Sequence, residues 1–272
     1  MNNHKMERKD FFCYSWIVDE NENDVTVIRI YGLNNKNENV CVIVNNFLPY
    51  VYIQLPEEIK WTQEKANLVV NKINYYMKKC KVNGFDKDCT PLTYEFVNKK
   101  RLYYARIDEK QNRKLFPYLK CCCSHISDIV QLGYKIRSGF NIPGLGQVNL
   151  KLHENNADPI LQLTSQQNLP TAGWISFIGK LVKEEDQVTN CKYEYIVKST
   201  DMKAGTIDTI ARPLLMGYDI EVNSSITSSM PKATRPQDKI FQISCVFSRQ
   251  GGKPEECERN LLTLGEPEPS IV

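Results

Sequence analysis

Two carboxylates, Asp219 and Glu221, close the apolar run Leu214-Leu215-Met216-Gly217-Tyr218. On a strand, their i, i+2 spacing turns both side chains to one face. Carboxylates held side by side repel, and such a pair is normally kept where cations sit between them. The pair therefore points to metal-dependent phosphodiester chemistry, with Asp219 and Glu221 as candidate catalytic and metal-binding residues.

Positioning such a pair requires a strand, and Ala211 to Val222 supplies the pattern for one. Lys239 to Ser248 reads as its neighbour, and the Ser/Thr/Pro-rich segment Asn223 to Asp238 between them is expected at the mouth of the site. Upstream, Phe11 to Val18, Val25 to Tyr31, Val40 to Val44 and Pro49 to Leu55 also read as strands. Pro56-Glu57-Glu58 is expected to open a helix running through Trp61, Val69, Val70, Ile73 and Met77. Leu92 to Val97 and Arg101 to Ile107 suggest a hairpin around Asn98-Lys99-Lys100. Pro117 to Cys123 reads as a strand, Ser127 to Leu132 as a short helix and Gly139 to Gly146 as a loop. A helix over Ile160, Leu161 and Leu163 precedes a last pair of strands, Gly173 to Lys183 and Lys192 to Ser199. The class this implies is α+β, with no internal repeat.

At 272 residues, with 42% hydrophobic and 25% charged residues, the chain has the composition of a globular protein of about two domains. A net charge of +3 is compatible with nucleic acid without arguing for it. No apolar run approaches the roughly 20 residues of a membrane-spanning helix. The polar start, Met1-Asn2-Asn3-His4-Lys5, lacks a signal peptide's apolar centre, so an intracellular, non-secreted protein is expected. None of the ten cysteines forms the C-x2-4-C pair that zinc favours, and they read as reduced thiols. Tyr50 and Tyr52 on one strand are candidates for stacking on bases, and Lys99, Lys100 and Arg101 for contacting phosphates. Half-buried packing and a solvated charged face are the commoner explanation of the same residues.

Tyr218-Asp219-Ile220-Glu221, the loop carrying Met230-Pro231, and the strand Gln242-Ile243-Ser244 together resemble the first exonuclease motif of family B DNA polymerases. Leu261-Leu262-Thr263-Leu264-Gly265 resembles the strand that follows it. His153-Glu154-Asn155-Asn156-Ala157-Asp158-Pro159-Ile160-Leu161, then Ala172-Gly173-Trp174-Ile175, is similar to the family's "E-S-N-I-D-P-L-L … G-W-I" segment, with Asn155 in place of the serine. Phe47-Leu48-Pro49-Tyr50-Val51-Tyr52 resembles the "F-x-P-Y-F-Y" strand of the amino-terminal domain. The asparagine- and lysine-rich composition leans toward the polymerases of large DNA viruses, with the delta-like eukaryotic enzymes beside them.

The resemblance implies an amino-terminal domain over 1–140 that is mixed α/β and partly like an oligonucleotide-binding barrel. A connecting α+β segment would occupy 141–210, and an incomplete RNase H-like 3′–5′ exonuclease domain would begin at 211–272. It implies two Mg2+ ions, or Mn2+, held by Asp219, Glu221 and further aspartates and a tyrosine from later in such chains. After Glu221 the only acids here are Asp238, Glu255, Glu256, Glu258, Glu266 and Glu268, so the chain alone is expected to be inactive. Implied partners are a DNA primer-template, a single-stranded 3′ end, the remaining polymerase domains in the same or a separate chain, and a sliding clamp, with no membrane. Implied sites of action are the nucleus or a viral replication site in the cytoplasm. Two other readings stay open: a non-catalytic single-strand-binding module, and a freestanding metal-dependent nuclease.

Overall fold

In a computed structural model, residues 8–21, 25–78, 80–82, 85–87, 91–101, 113–137 and 139–265 are described. Strands β1 (Lys9–Glu20), β2 (Thr26–Asn34), β3 (Asn39–Val44) and β4 (Tyr50–Gln54) lead to helix α1 (Gln63–Met77). Then come β5 (Cys80–Val82), β6 (Phe85–Lys87), β7 (Thr93–Lys99), β8 (Phe116–Cys122) and α2 (Ile126–Ile136). β9 (Phe140–Ile142), β10 (Gly146–Val148), β11 (Lys151–His153), α3 (Pro159–Gln167), β12 (Gly173–Leu181) and β13 (Tyr193–Ala204) follow. The chain continues through β14 (Leu214–Val222), β15 (Ile240–Arg249) and β16 (Glu258–Thr263). The class is α+β and strand-rich.

Two cores organise the first compact unit, which holds residues 38–207 together with the first 32. One is a closed five-stranded barrel in the order β1-β12-β13-β3-β2, filled by Phe11, Ile28, Ile30, Val42, Ile175 and Phe177 among others. Closure brings backbones close. A Cβ on Gly32 would stand 2.2 Å from the Phe12 carbonyl oxygen, so only glycine fits there. The other core lies under a four-stranded sheet in the order β11-β4-β8-β7, whose apolar face (Val51, Ile53, Leu119, Cys121) packs with α1 and α2. Its chain order β4-α1-β7-β8-α2-β11, with antiparallel neighbours throughout, is a split β-α-β arrangement.

Local chemistry sets the helix ends. The expected start of α1 at Pro56 moves to Gln63, because the Thr62 hydroxyl caps the Lys65 N–H. Trp61 stays outside the helix and donates its Nε1–H to the Pro56 carbonyl at 2.6 Å. Asp158 caps α3 through the Ile160 N–H at 2.8 Å, Pro159 fills the first helical position, and Asn168, at φ +52°, ends it. The segment 139–146 is not an open loop but feeds the β9–β10 hairpin, with Gly144 and Gly146 at positive φ. β7 pairs with β8 over Thr93–Lys99, and the partner expected at 102–107 lies outside the described residues.

The second unit holds residues 208–272 with Leu33–Asn37. Its three-stranded antiparallel sheet, β14-β15-β16, is exposed on both faces: Met216 is 54%, Tyr218 65% and Leu262 60% exposed. Among the described residues none on its three strands is buried; the unit's buried hydrophobes, Leu33 and Ala211, lie off the sheet. With so few buried contacts this sheet opens at lower free energy than the barrel. Limited proteolysis of the chain is therefore expected to cut within 208–265 while 38–204 survives; equal resistance of the two units would contradict this.

Candidate functional site

β14 forms where the sequence places it, since Leu214 to Val222 pairs with β15 along its whole length. Asp219 stands opposite Ser244, and Glu221 opposite Gln242, which in turn faces Thr263 on β16. Directly opposed residues share a face, so both carboxylates lie on one polar patch with Ser244, Gln242 and Thr263. Tyr218, Ile220, Ile243 and Leu262 take the reverse face. The register shifts after Glu221, where Val222 meets Ile240 and Phe241 is left as the extra residue of a bulge. Asp219 and Glu221 are both exposed, and one Asp219 oxygen accepts the Ile220 N–H at 3.0 Å.

The segment 223–239 is closed at its neck by the Asn223 N–H donating to the Lys239 carbonyl at 3.0 Å. Inside it, the Asp238 side chain is 1% exposed. Its Oδ1 accepts the Ser225 hydroxyl at 2.6 Å and the Ser225 N–H at 2.8 Å. Its Oδ2 accepts the Lys232 N–H at 2.7 Å and pairs with Arg235 Nε at 2.7 Å. The Ser225 hydroxyl foremost, then the backbone N–H groups and Arg235, push this carboxyl down to about 2. Nothing in the sequence marked Asp238 as a hub. Its carboxylate is recognisable only once Ser225 and Lys232 have been folded onto it.

Carboxylate oxygens suit a hard divalent ion such as Mg2+ or Mn2+, and in donor type Asp219 and Glu221 fit one. In number they supply two ligands: among the described residues no group of three or more His, Cys, Asp or Glu could hold a metal. Glu255, Glu256 and Glu258 lie at and beyond the far end of the sheet, where Glu258 faces Phe247 rather than Ser244.

Tyr50, Tyr52 and Lys99 lie on the face of the four-stranded sheet opposite α1 and α2, where Tyr50 joins the barrel core and Tyr52 packs against it. Tyr50 and Tyr52 lie on β4, opposite Cys122 and Lys120. Their rings meet edge to face at 5.7 Å, and Tyr52 continues to Tyr118 at 6.2 Å and Tyr118 to His153 at 5.7 Å. Lys120 Nζ stands 4.1 Å from the Tyr50 ring centre and Lys99 Nζ 6.0 Å from that of Tyr52. Tyr50 and Tyr118 are buried, and burial pushes the Tyr50 hydroxyl up to about 12, helped by neighbouring Tyr52. Tyr52 is half-buried. Arg101 is engaged elsewhere, on Glu57 at 3.0 Å and over the Phe116 ring at 3.7 Å, while Lys100 is exposed beyond the end of β7. Lys120 and Tyr118 were missed in the sequence, although β8's alternation puts both on the face of Tyr52.

A family model described as "DNA polymerase family B, exonuclease domain" matches residues 150–271. The chain is 37% identical over 278 residues to "DNA polymerase 120R" of Invertebrate iridescent virus 3, covering 96% of the chain and 23% of that protein. It is 32% identical to "DNA polymerase 037L" of Invertebrate iridescent virus 6, over 95% of the chain and 21% of that protein. The chain thus spans between a fifth and a quarter of the length of these curated relatives. Among solved structures, the family B DNA polymerase of the hyperthermophilic archaeon Pyrobaculum calidifontis superposes with a TM-score of 0.63 at 12% identity. That match covers 94% of this chain and 27% of the archaeal one, and bears on the fold.

Proposed function

We infer, from the premise that this chain belongs to the family B DNA polymerases, that it forms the amino-terminal part of such an enzyme acting in DNA replication. In this reading Asp219 and Glu221 are the strand-borne pair of a two-metal 3′–5′ proofreading exonuclease site. One observation carries it: the two carboxylates share one exposed face of β14, inside the stretch that matches the exonuclease domain. The closed five-stranded barrel supports an oligonucleotide-binding-like part of the amino-terminal domain. The antiparallel β14-β15-β16 order supports the opening of an RNase H-like sheet. A division at 1–140, 141–210 and 211–272 goes with that reading, with β12 and β13 of the middle segment completing the barrel.

When bound, two Mg2+ ions, or Mn2+, would be held in part by Asp219 and Glu221 and would supply positive charge to the reacting phosphodiester. The chain's own residues hold and orient. Asp219, braced by the Ile220 N–H, presents its free oxygen on the open face of β14. Glu221, two residues on, accepts a hydrogen bond from the attacking water and fixes its direction. The remaining ligands come from other parts of the polymerase, which acts on a primer-template and a single-stranded 3′ end, with a sliding clamp as a further partner. The enzyme works in the nucleus or at a viral replication site in the cytoplasm.

A second reading, a single-strand-binding module, has the lysine-flanked ring row of β4 and β8 in its favour. Of that row only Tyr52 offers ring surface, since Tyr50 and Tyr118 are buried. The isolated chain, incubated with a 3′-labelled single strand and Mg2+, is expected to release no nucleotide, whereas a complete polymerase carrying it does. Release by the isolated chain would favour the freestanding-nuclease reading. Tight single-strand binding that falls steeply with salt would favour the module.

A further inference from the structure

The 223–239 segment is long for a connection without regular structure. Loops of this length in compact units are usually functional or disordered. This one is neither loose nor packed on a core: Ile226 is 48% and Met230 82% exposed. Its order comes from its own polar groups. Three successive turns close through Ser229 N–H to Ile226 O, Arg235 N–H to Lys232 O and Asp238 N–H to Arg235 O, each at 3.0 Å. Ser224 Oγ lies 2.7 Å from the Ser229 carbonyl, and the Arg235 guanidinium donates to the Met230 carbonyl. Beside these bonds, the Asp238 side chain gathers Ser225, Lys232 and Arg235 from both limbs of the loop.

An ionised carboxylate offers about four lone-pair positions. Asp238 has three of them on N–H and O–H donors and a guanidinium on the same Oδ2 that takes Lys232. The Arg235 guanidinium, 2.7 Å from Oδ2, brings a positive charge to what remains and so disfavours a cation there. Asp238 is also the only acid between Glu221 and Glu255, and so the only carboxylate there that could serve as a third ligand. The bonding disfavours that use and suggests another. The loop leaves β14 two residues after Glu221 and returns at Ile240, beside the Phe241 bulge. A wall fixed there before substrate arrives costs less ordering on binding than one that must be frozen by it.

We propose that Asp238 is a positioning residue, not a metal ligand: it knots the 223–239 loop into a preformed wall beside Asp219 and Glu221, along which a single-stranded 3′ end is held. The proposal rests on the exonuclease reading of that pair. Its substrate is the strand end, so loss of the knot should weaken substrate capture far more than the chemical step.

Two measurements test it. In the full chain, Asp238→Ala is expected to speed amide exchange at Ser225 and Lys232 by about tenfold or more, with β14 and β15 amides unchanged. Paramagnetic broadening by Mn2+ should stay centred on Asp219 and Glu221. In a complete polymerase, Asp238→Ala is expected to raise KM for a single-stranded 3′ end about tenfold, with kcat for exonuclease little altered. Asp238→Asn keeps one acceptor for Ser225 but loses the Arg235 pair, and should fall between. Should Asp238→Ala unfold the sheet, Ser225→Ala removes one limb of the knot and is read in the same two ways. Loss of Mn2+ broadening in Asp238→Ala makes Asp238 a ligand and overturns the proposal, as does unchanged exchange together with unchanged KM. If Asp219→Ala leaves exonuclease intact, the underlying reading has failed, while the exchange result still reports on the knot.

Discussion

Asp219→Ala in a complete polymerase carrying this segment is expected to cut 3′–5′ exonuclease activity by about 10²–10³-fold or more, the usual loss when one preorganised charge-stabilising group is removed. Asp219→Asn should lose as much. It keeps the shape and can still accept the Ile220 N–H, but gives up the negative charge that suits a divalent ion. Glu221→Ala should fall in the same range, and the double variant little below either, because residues that act as a unit do not add. If nucleotide addition uses other side chains, as the proposed reading requires, it is expected to stay within about twofold. Exonuclease measured on a single-stranded 3′-labelled oligonucleotide, beside primer extension by the same preparation, separates the two. An Asp219→Ala enzyme within tenfold of the parent would remove the pair from the chemistry. It would leave the strand as an ordinary exposed edge.

The strand under that pair was legible because its signal is local. Leu214 to Val222 is apolar, turn-bounded and short, and the two acids sit on the same parity, so on any strand they share a face. The α+β class and most strand positions were legible for the same reason. What sequence could not show is which strands meet. The barrel joins β1, β2 and β3 to β12 and β13, more than a hundred residues away, and no periodicity in either stretch names the other. The split β-α-β sheet was hidden likewise, since β11 joins β4 from beyond α1, β7, β8 and α2. The start of α1 was misread because Pro56-Glu57-Glu58 carries generic start signals, while the cap at Thr62 wins through one hydrogen bond. In the site, the two ligand candidates were visible as spacing, whereas Asp238 has a role only through Ser225 and Lys232 folded onto it.

Gln162→Leu is expected to destabilise the first unit by about 2–6 kcal/mol, from two buried backbone groups losing their partners at about 1–3 kcal/mol each. Along β4, Val51 and Ile53 bond toward β8, so Tyr50, Tyr52 and Gln54 turn their backbone groups to the opposite edge. β11 satisfies that edge as far as Tyr52, opposite His153, and then ends. Tyr50 is left one step beyond it. There Gln162 of α3, 4% exposed, takes the place of a strand. Its Oε1 accepts the Tyr50 N–H at 3.2 Å and its Nε2 donates to the Tyr50 carbonyl at 2.6 Å. Leucine matches the volume and offers neither bond. Gln162→Glu gives a sharper test. An ionised glutamate can accept from the Tyr50 N–H but repels its carbonyl, whereas the protonated acid can both accept and donate as glutamine does. Burial would raise the folded-state pKa of that glutamate above its unfolded value of about 4.3. Its stability should therefore approach that of the parent at and below that pH, and fall away as pH rises through the folded-state value. Urea unfolding followed by tryptophan fluorescence reads the first unit alone, because Trp16, Trp61 and Trp174 all lie in it. A Gln162→Leu midpoint equal to the parent's at unchanged m would mean that water, not α3, satisfies the end of β4.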